Sequence, residues 1–419
     1  MFISESYESR VVVADPRSGS LYSVEPESGR VLRHETETVL AEHAGFLALP
    51  GGRVAYVDDD AGELVVLDVF SESPDWRESA VSVAIPGEHL AASEDGRFVA
   101  VTTGLGLAWQ PWSDLVTLVD RRNPKCPGAR AISRRIRTRP GEPGVVIARD
   151  RATGLPAVVL RHRQPGALEV IPVEAIRAAD AHVPVLRGDL TELPGDGHGD
   201  AYDPVSGMIF SATSSGVHRH SLENGAFVEH DTVPWIAPGR AYFMRFCPRH
   251  RALFAVVRGH DADPTRWHTW TNHLWRYSLD TGRVSTAPIG LGLVFRLALT
   301  RDHAVIARIH PDGDETVSFR REPPAPLREE GRSALPPMRD SPEPGREPWD
   351  GADRRAIAAD PAGALFAVTR GGHGELHILN AAEPGTTLRT LRLPTPLREG
   401  GHLTWLRAGD GSNADRVGR

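Results

Sequence analysis

Four histidines, His43, His89, His198 and His402, each stand just before or at the start of a short apolar stretch. Neutral imidazoles presented from rigid supports are good ligands for Fe, Cu or Zn. Such ligands are commonly oriented by carboxylates behind them, and Glu88, Glu142, Asp196 and Asp200 lie near enough in sequence to serve. A nitrogen-rich, carboxylate-poor set suits redox or oxygenase chemistry better than hydrolysis, with the metal as Lewis acid or O₂-binding centre.

A second group occupies residues 259–273, GHDADPTRWHTWTNH, with three His, two Asp and two Trp in 15 residues. His260, His268 and His273 are its candidate acids and bases, and Trp267 and Trp270 its candidate substrate wall. Residues 104–113, GLGLAWQPWS, contribute Trp109 and Trp112, so the two loops could together roof an apolar pocket. Arg245 and Arg296, with Arg240 and Arg354 or Arg355, open later apolar stretches and could grip an anionic substrate group with their forked guanidinium. Each assignment competes with a structural one: a histidine that caps a turn, an indole packed between elements, an arginine in an ion pair. Asp58, Asp59 and Asp60 read as a solvated turn, because a Ca²⁺ site takes about six to eight oxygens. The chain contains no P-loop, no GxGxxG after a strand, no GxSxG elbow and no HExxH, so no nucleotide cofactor is indicated.

The elements that must position these residues repeat. An apolar strand, a tight turn and a second apolar strand appear at residues 46–57 (FLALPGGRVAYV), 89–101 (HLAASEDGRFVAV) and 145–159 (VVIARDRATGLPAVV). Copies follow at 200–212, 242–257, 296–309 and 355–369, seven in all, at a spacing of roughly 40 to 60 residues. A third strand, often ending in Asp or Asn, follows most copies, as in residues 63–68 (ELVVLD) and 375–380 (ELHILN). A Gly turn and a fourth strand come next. Four short strands per unit at this period predict the blades of an all-β, closed β-propeller. Residues 10–33 supply strands two to four of a blade that lacks its first, and residues 402–407 (HLTWLR) supply a first strand without partners. Pairing them closes the ring and removes both exposed edges. The prediction is eight four-stranded blades, with seven as the alternative because blade seven loses definition after Val317. The domain spans residues 1–409, with a Pro-rich inter-blade loop at 323–349, one short helical turn at 172–180, and a polar tail at 410–419 expected to be disordered.

This repeat resembles the broad superfamily of YVTN/WD40-like and lactonase-like propellers, over nearly the whole chain, although the WD dipeptide of true WD40 blades is absent. The resemblance implies the fold and gives no chemistry. In a propeller the loop entering strand one and the loop joining strands two and three share a rim, where ligands usually bind. Ten of the 18 histidines map to that rim. One histidine from each of several inner strands is similar in plan to the iron site of the carotenoid cleavage oxygenases.

Bulk properties narrow the partners. The 419 residues carry a net charge of −7, which argues against a nucleic-acid binder. No run of about 18 apolar residues suggests a spanning helix, and the first residues do not read as a signal peptide. Two cysteines without CxxC spacing, Cys126 and Cys247, fit free thiols in a reducing cytoplasm better than a disulfide. The expected protein is a cytoplasmic propeller enzyme acting on a small, partly apolar molecule at the axial mouth, with clustered histidines and a transition metal. The alternatives are a non-catalytic scaffold that binds a protein or senses a ligand through its face, and a metal-free acid/base lyase or cyclase.

Overall fold

The computed structural model describes residues 8–104, 114–122, 131–180, 182–259, 263–321, 325–349, 351–409 and 416–418. These form eight antiparallel sheets of four strands, seven of them in sequence order, with one of the seven extended by a fifth strand. The sheets are eight propeller blades, so the eight-blade reading holds and the seven-blade alternative does not. The inner strands of blades two to eight are Leu47–Leu49, Gly87–Ala92, Gly144–Arg149, Asp200–Asp203, Arg240–Cys247, Leu297–Leu299 and Ile357–Ala359. Blade one takes its inner strand, His402–Arg407, from the other end of the chain. That strand pairs with Ser9–Asp15 in the register Ala14 opposite His402 to Ser9 opposite Arg407, as the matching ends required.

Strand periodicity explains how the blades hold together. Alternate side chains of a strand point to opposite sheet faces. In blade one, Val11, Val13, Tyr22 and Val24 therefore pack against Ala356, Ala367 and Leu376 of blade eight. Their neighbours Val12, Ala14 and Leu21 pack against Val54, Tyr56, Val65 and Leu67 of blade two. Both faces of the middle strands are covered, so they read as continuous apolar runs. The fourth strands lie at the outer rim: Thr387–Arg392 and Arg77–Ser82 are mostly exposed and polar.

Some segments differ from their sequence reading. Within the Pro-rich stretch, Arg328–Ala334 is the fourth strand of blade seven, pairing with Glu315–Arg320. Its polar composition hid it, because an outermost strand needs little apolar surface. Beyond it, Leu335, Met338 and Trp349 pack on neighbouring blades. The expected helical turn is Val173–Arg177. Arg416–Gly418, expected in a disordered tail, adds a fifth strand to blade six by pairing with Met244–Phe246. It also approaches the inner strands of blades two to five, so the chain's last described segment lies in the axial channel. No helix among the described residues is long and apolar enough to cross a membrane. Cys247 is a buried thiol accepting from the Arg321 guanidinium, and Cys126 lies outside the described residues.

Candidate functional site

The inner strands converge on the axis, and their leading ends line one cavity of about 340 Å³. His43, His89, His198 and His402 all line it, as do Arg245 and Arg296. Histidines at or near the inner-strand starts of four blades thus meet in one cavity because the ring brings those starts together.

Two of these histidines are placed by glycines. Gly401, just before His402, has φ +65°, and a Cβ there would stand 2.4 Å from the Ala14 carbonyl oxygen. Gly199, just after His198, has φ +89°, and its Cβ would stand 2.9 Å from the Phe243 Cα. Both turns need a residue without a side chain.

The four imidazoles differ in environment. His43 is exposed, and its Nδ1 lies 2.8 Å from Glu88 Oε2. His89 is buried in the inner strand of blade three. Burial, reinforced by Arg161 and Arg163, pushes His198 down to about 3, so it is neutral near pH 7. Its Nδ1 has no hydrogen-bond partner among the described residues, and its ring meets Tyr242 edge-on with centroids 5.5 Å apart. His402 is 4% exposed and pushed down to about 4, first by burial and then by Arg354. Its Nδ1 accepts from Arg296 Nη1 and Nη2 at 3.4 and 3.3 Å.

Most of the cavity's arginines are matched by carboxylates. Arg17 donates to Glu399 at 2.8 Å, Arg163 to Glu142 at 2.9 Å and Arg354 to Glu42 at 3.2 Å. Arg355 is buried on Asp314 at 2.8 Å. Of the carboxylates anticipated behind the histidines, Glu88 does contact one. Glu142 pairs with Arg163 instead, Asp196 with Arg240 and Asp200 with Arg161. Asp58 and Asp59 accept from the backbone of residues 60, 61 and 87, as a capping turn does.

Among the described residues no group of three or more His, Cys, Asp or Glu is gathered so that it could hold a metal ion. Sharing an ion demands metal–nitrogen distances of about 2 Å from each imidazole. The four histidines share a cavity without forming such a shell.

The second group is placed elsewhere. His268 and His273 do not line the axial cavity. His273 sits in the third strand of blade six, opposite Val257 and Pro288, and burial lowers its basicity. Trp267 and Trp270 are buried with Leu293, Ile309 and Met338, and Phe295 and Trp349 pack against them. Their indoles fill the seam between blade six and the Pro-rich segment. His260, Trp109 and Trp112 lie outside the described residues.

Sequence reasoning missed Tyr242, Phe243 and Phe295, which supply the cavity's apolar wall, and Arg17 with Glu399 at its rim. Tyr242 and Phe295 stand two and one residues before Met244 and Arg296; the signal that could have found them is an aromatic at the start of an inner strand. Tyr242 lies between the guanidiniums of Arg240 and Arg258, 4.5 and 4.2 Å from its ring centroid.

No family model and no curated protein matches the chain. Solved β-propeller structures do. Apo AztD from Citrobacter koseri superposes with a TM-score of 0.65 at 10% identity, covering 96% of this chain and 99% of that one. The dihydro-heme d1 dehydrogenase NirN, in complex with DHE, gives 0.58 at 13% identity over 96% of this chain and 75% of that one. Sqt1 from Saccharomyces cerevisiae gives 0.52 at 9% identity over 90% and 96%. At these identities the likeness is one of fold, and it places the chain among the β-propellers.

Proposed function

We propose that this propeller is an enzyme that takes a small, partly apolar molecule at its axial mouth and moves protons on it without a metal. The observation that carries the reading is His43 with its Nδ1 on Glu88, at the edge of a cavity containing two histidines held neutral. A carboxylate at Nδ1 fixes the neutral tautomer with the proton there and leaves the Nε2 lone pair as the base. Glu88 then stabilises the imidazolium formed when His43 takes a proton from substrate. His402 cannot easily charge in its buried position, so it serves as a neutral hydrogen-bonding group. The aromatic side chains Tyr242, Phe243 and Phe295 would hold the apolar part of the substrate. The fold is one that NirN, named a dehydrogenase, also uses, so catalysis on this scaffold has a precedent.

The test is deuterium incorporation. Purified protein is incubated in D₂O with a panel of small carbon acids, and mass spectrometry reads exchange at the acidic carbon. Exchange that His43→Gln and Glu88→Gln each reduce by about 10²-fold or more supports the reading. Binding of panel members without exchange or turnover would assign a ligand-sensing role instead. Stoichiometric Fe, Cu or Zn by elemental analysis would overturn the metal-free step.

A further inference from the structure

We infer that the floor of the axial cavity is a carboxylate-binding subsite anchored by Arg296. This rests on the axial cavity being the ligand site, and not on the acid/base step proposed for it.

Arg296 lies immediately before the inner strand of blade seven, half-buried. It lines the axial cavity and also a smaller one, about 60 Å³, deeper along the axis. That deeper chamber is walled by apolar side chains such as Leu47, Leu90 and Trp405, which give a guanidinium no counter-charge. The hydrogen bonds that Arg296 makes go to His402 Nδ1. His402 is a neutral acceptor, so it orients the fork without balancing its charge.

No carboxylate among the described residues forms an ion pair with Arg296, whereas Arg17, Arg163, Arg354 and Arg355 each have one. A charged group half out of water without a counter-ion costs free energy that an anionic ligand would recover. A guanidinium has five N–H donors, and the bonds to His402 use two, so about three remain for a ligand. A planar carboxylate matches that fork with two parallel bonds. Phe295, the preceding residue, and Tyr242 and Phe243 on the neighbouring blade six supply apolar wall beside it. The ligand class is therefore a carboxylic acid with an apolar or aromatic body, its acid group down on Arg296 and its body toward the mouth.

Isothermal titration separates the charge from the body. The probes are benzoate, its neutral analogue benzamide, and phenylphosphate, with wild type, Arg296→Gln and Arg296→Lys. Benzoate is expected to bind about tenfold or more tightly than benzamide, with Arg296→Gln removing that advantage and Arg296→Lys retaining part of it. Equal binding of benzoate and benzamide to the wild type would overturn the inference, and it needs no variant to fold. So would unchanged benzoate affinity in Arg296→Gln, or no saturable benzoate heat up to about 10 mM. Phenylphosphate binding tenfold above benzoate, with the same dependence on Arg296, would reassign the subsite to phosphate esters. Proton exchange on neutral substrates with no anion preference would sink this subsite and leave the acid/base reading intact. Carboxylate binding without exchange would do the reverse.

Discussion

Two regions looked equally suited to chemistry as sequence: the histidines that open the inner strands, and the His- and Trp-rich stretch at 259–273. The structure treats them oppositely. His43, His89, His198 and His402 are spread over hundreds of residues and line one cavity. Trp267, Trp270 and His273 are close in sequence and are consumed by packing within blade six and against the Pro-rich segment. Local density of reactive side chains is thus a poor guide in a ring of blades. What matters is equivalence of position, because each blade delivers the start of its inner strand to the same axis.

That contrast can be broken by experiment. The largest effect is expected for Trp267→Ala, which empties a fully buried site among Leu293, Ile309 and Met338. It should cost about 3–5 kcal/mol in denaturant unfolding while leaving ligand affinity unchanged. A variant of normal stability with lost binding would return the loop to the site.

The buried histidines, two of them in the cavity, should show themselves in the pH dependence of stability. His198 is pushed down to about 3, and His402, His220 and His377 to about 4, chiefly by burial. In the unfolded chain these imidazoles protonate near pH 6.5, in the folded one only near 3 to 4. Between pH 6.5 and 4 the unfolded state therefore binds more protons, and stability falls as pH falls. Above pH 6.5 all are neutral in both states and contribute no slope. Each unit of displacement is worth roughly 1.4 kcal/mol, so urea midpoints at pH 7, 5.5 and 4.5 should drop steadily. A flat profile would mean that the buried histidines are charged, His198 and His402 included, and would remove the neutral pair from the site.

Gly401→Ala should cost roughly 2 kcal/mol, since the left-handed backbone and the nearby Ala14 carbonyl both resist a Cβ. If the turn positions His402, the variant should also weaken benzoate binding through Arg296. Unchanged binding would separate the turn from the site. The smallest stability effect, within about 0.5 kcal/mol, is expected for His43→Gln, because that side chain is exposed. A large loss there would make the Glu88 contact structural and undercut its role as a base.

The sequence by itself determined the blades and the closure of the ring, and narrowed their number to eight or seven; the fourth strand of blade seven, Arg328–Ala334, settled it at eight only in the structure. Those follow from local rules: period-two strands, Gly and Asp turns, and two chain ends with complementary missing strands. It also located the four inner-strand histidines, Arg245 and Arg296, because a repeat lets equivalent positions be aligned without coordinates. The tertiary structure decided what the repeat could not. It placed Trp267 and Trp270 in a seam, paired Arg163, Arg354 and Arg355 with carboxylates, and left Arg296 on a neutral histidine. It separated a shared cavity from a shared metal shell among the described residues. The physical reason is range. Strand pattern is written within about ten residues, whereas ion pairing, burial and protonation depend on side chains from blades hundreds of residues apart.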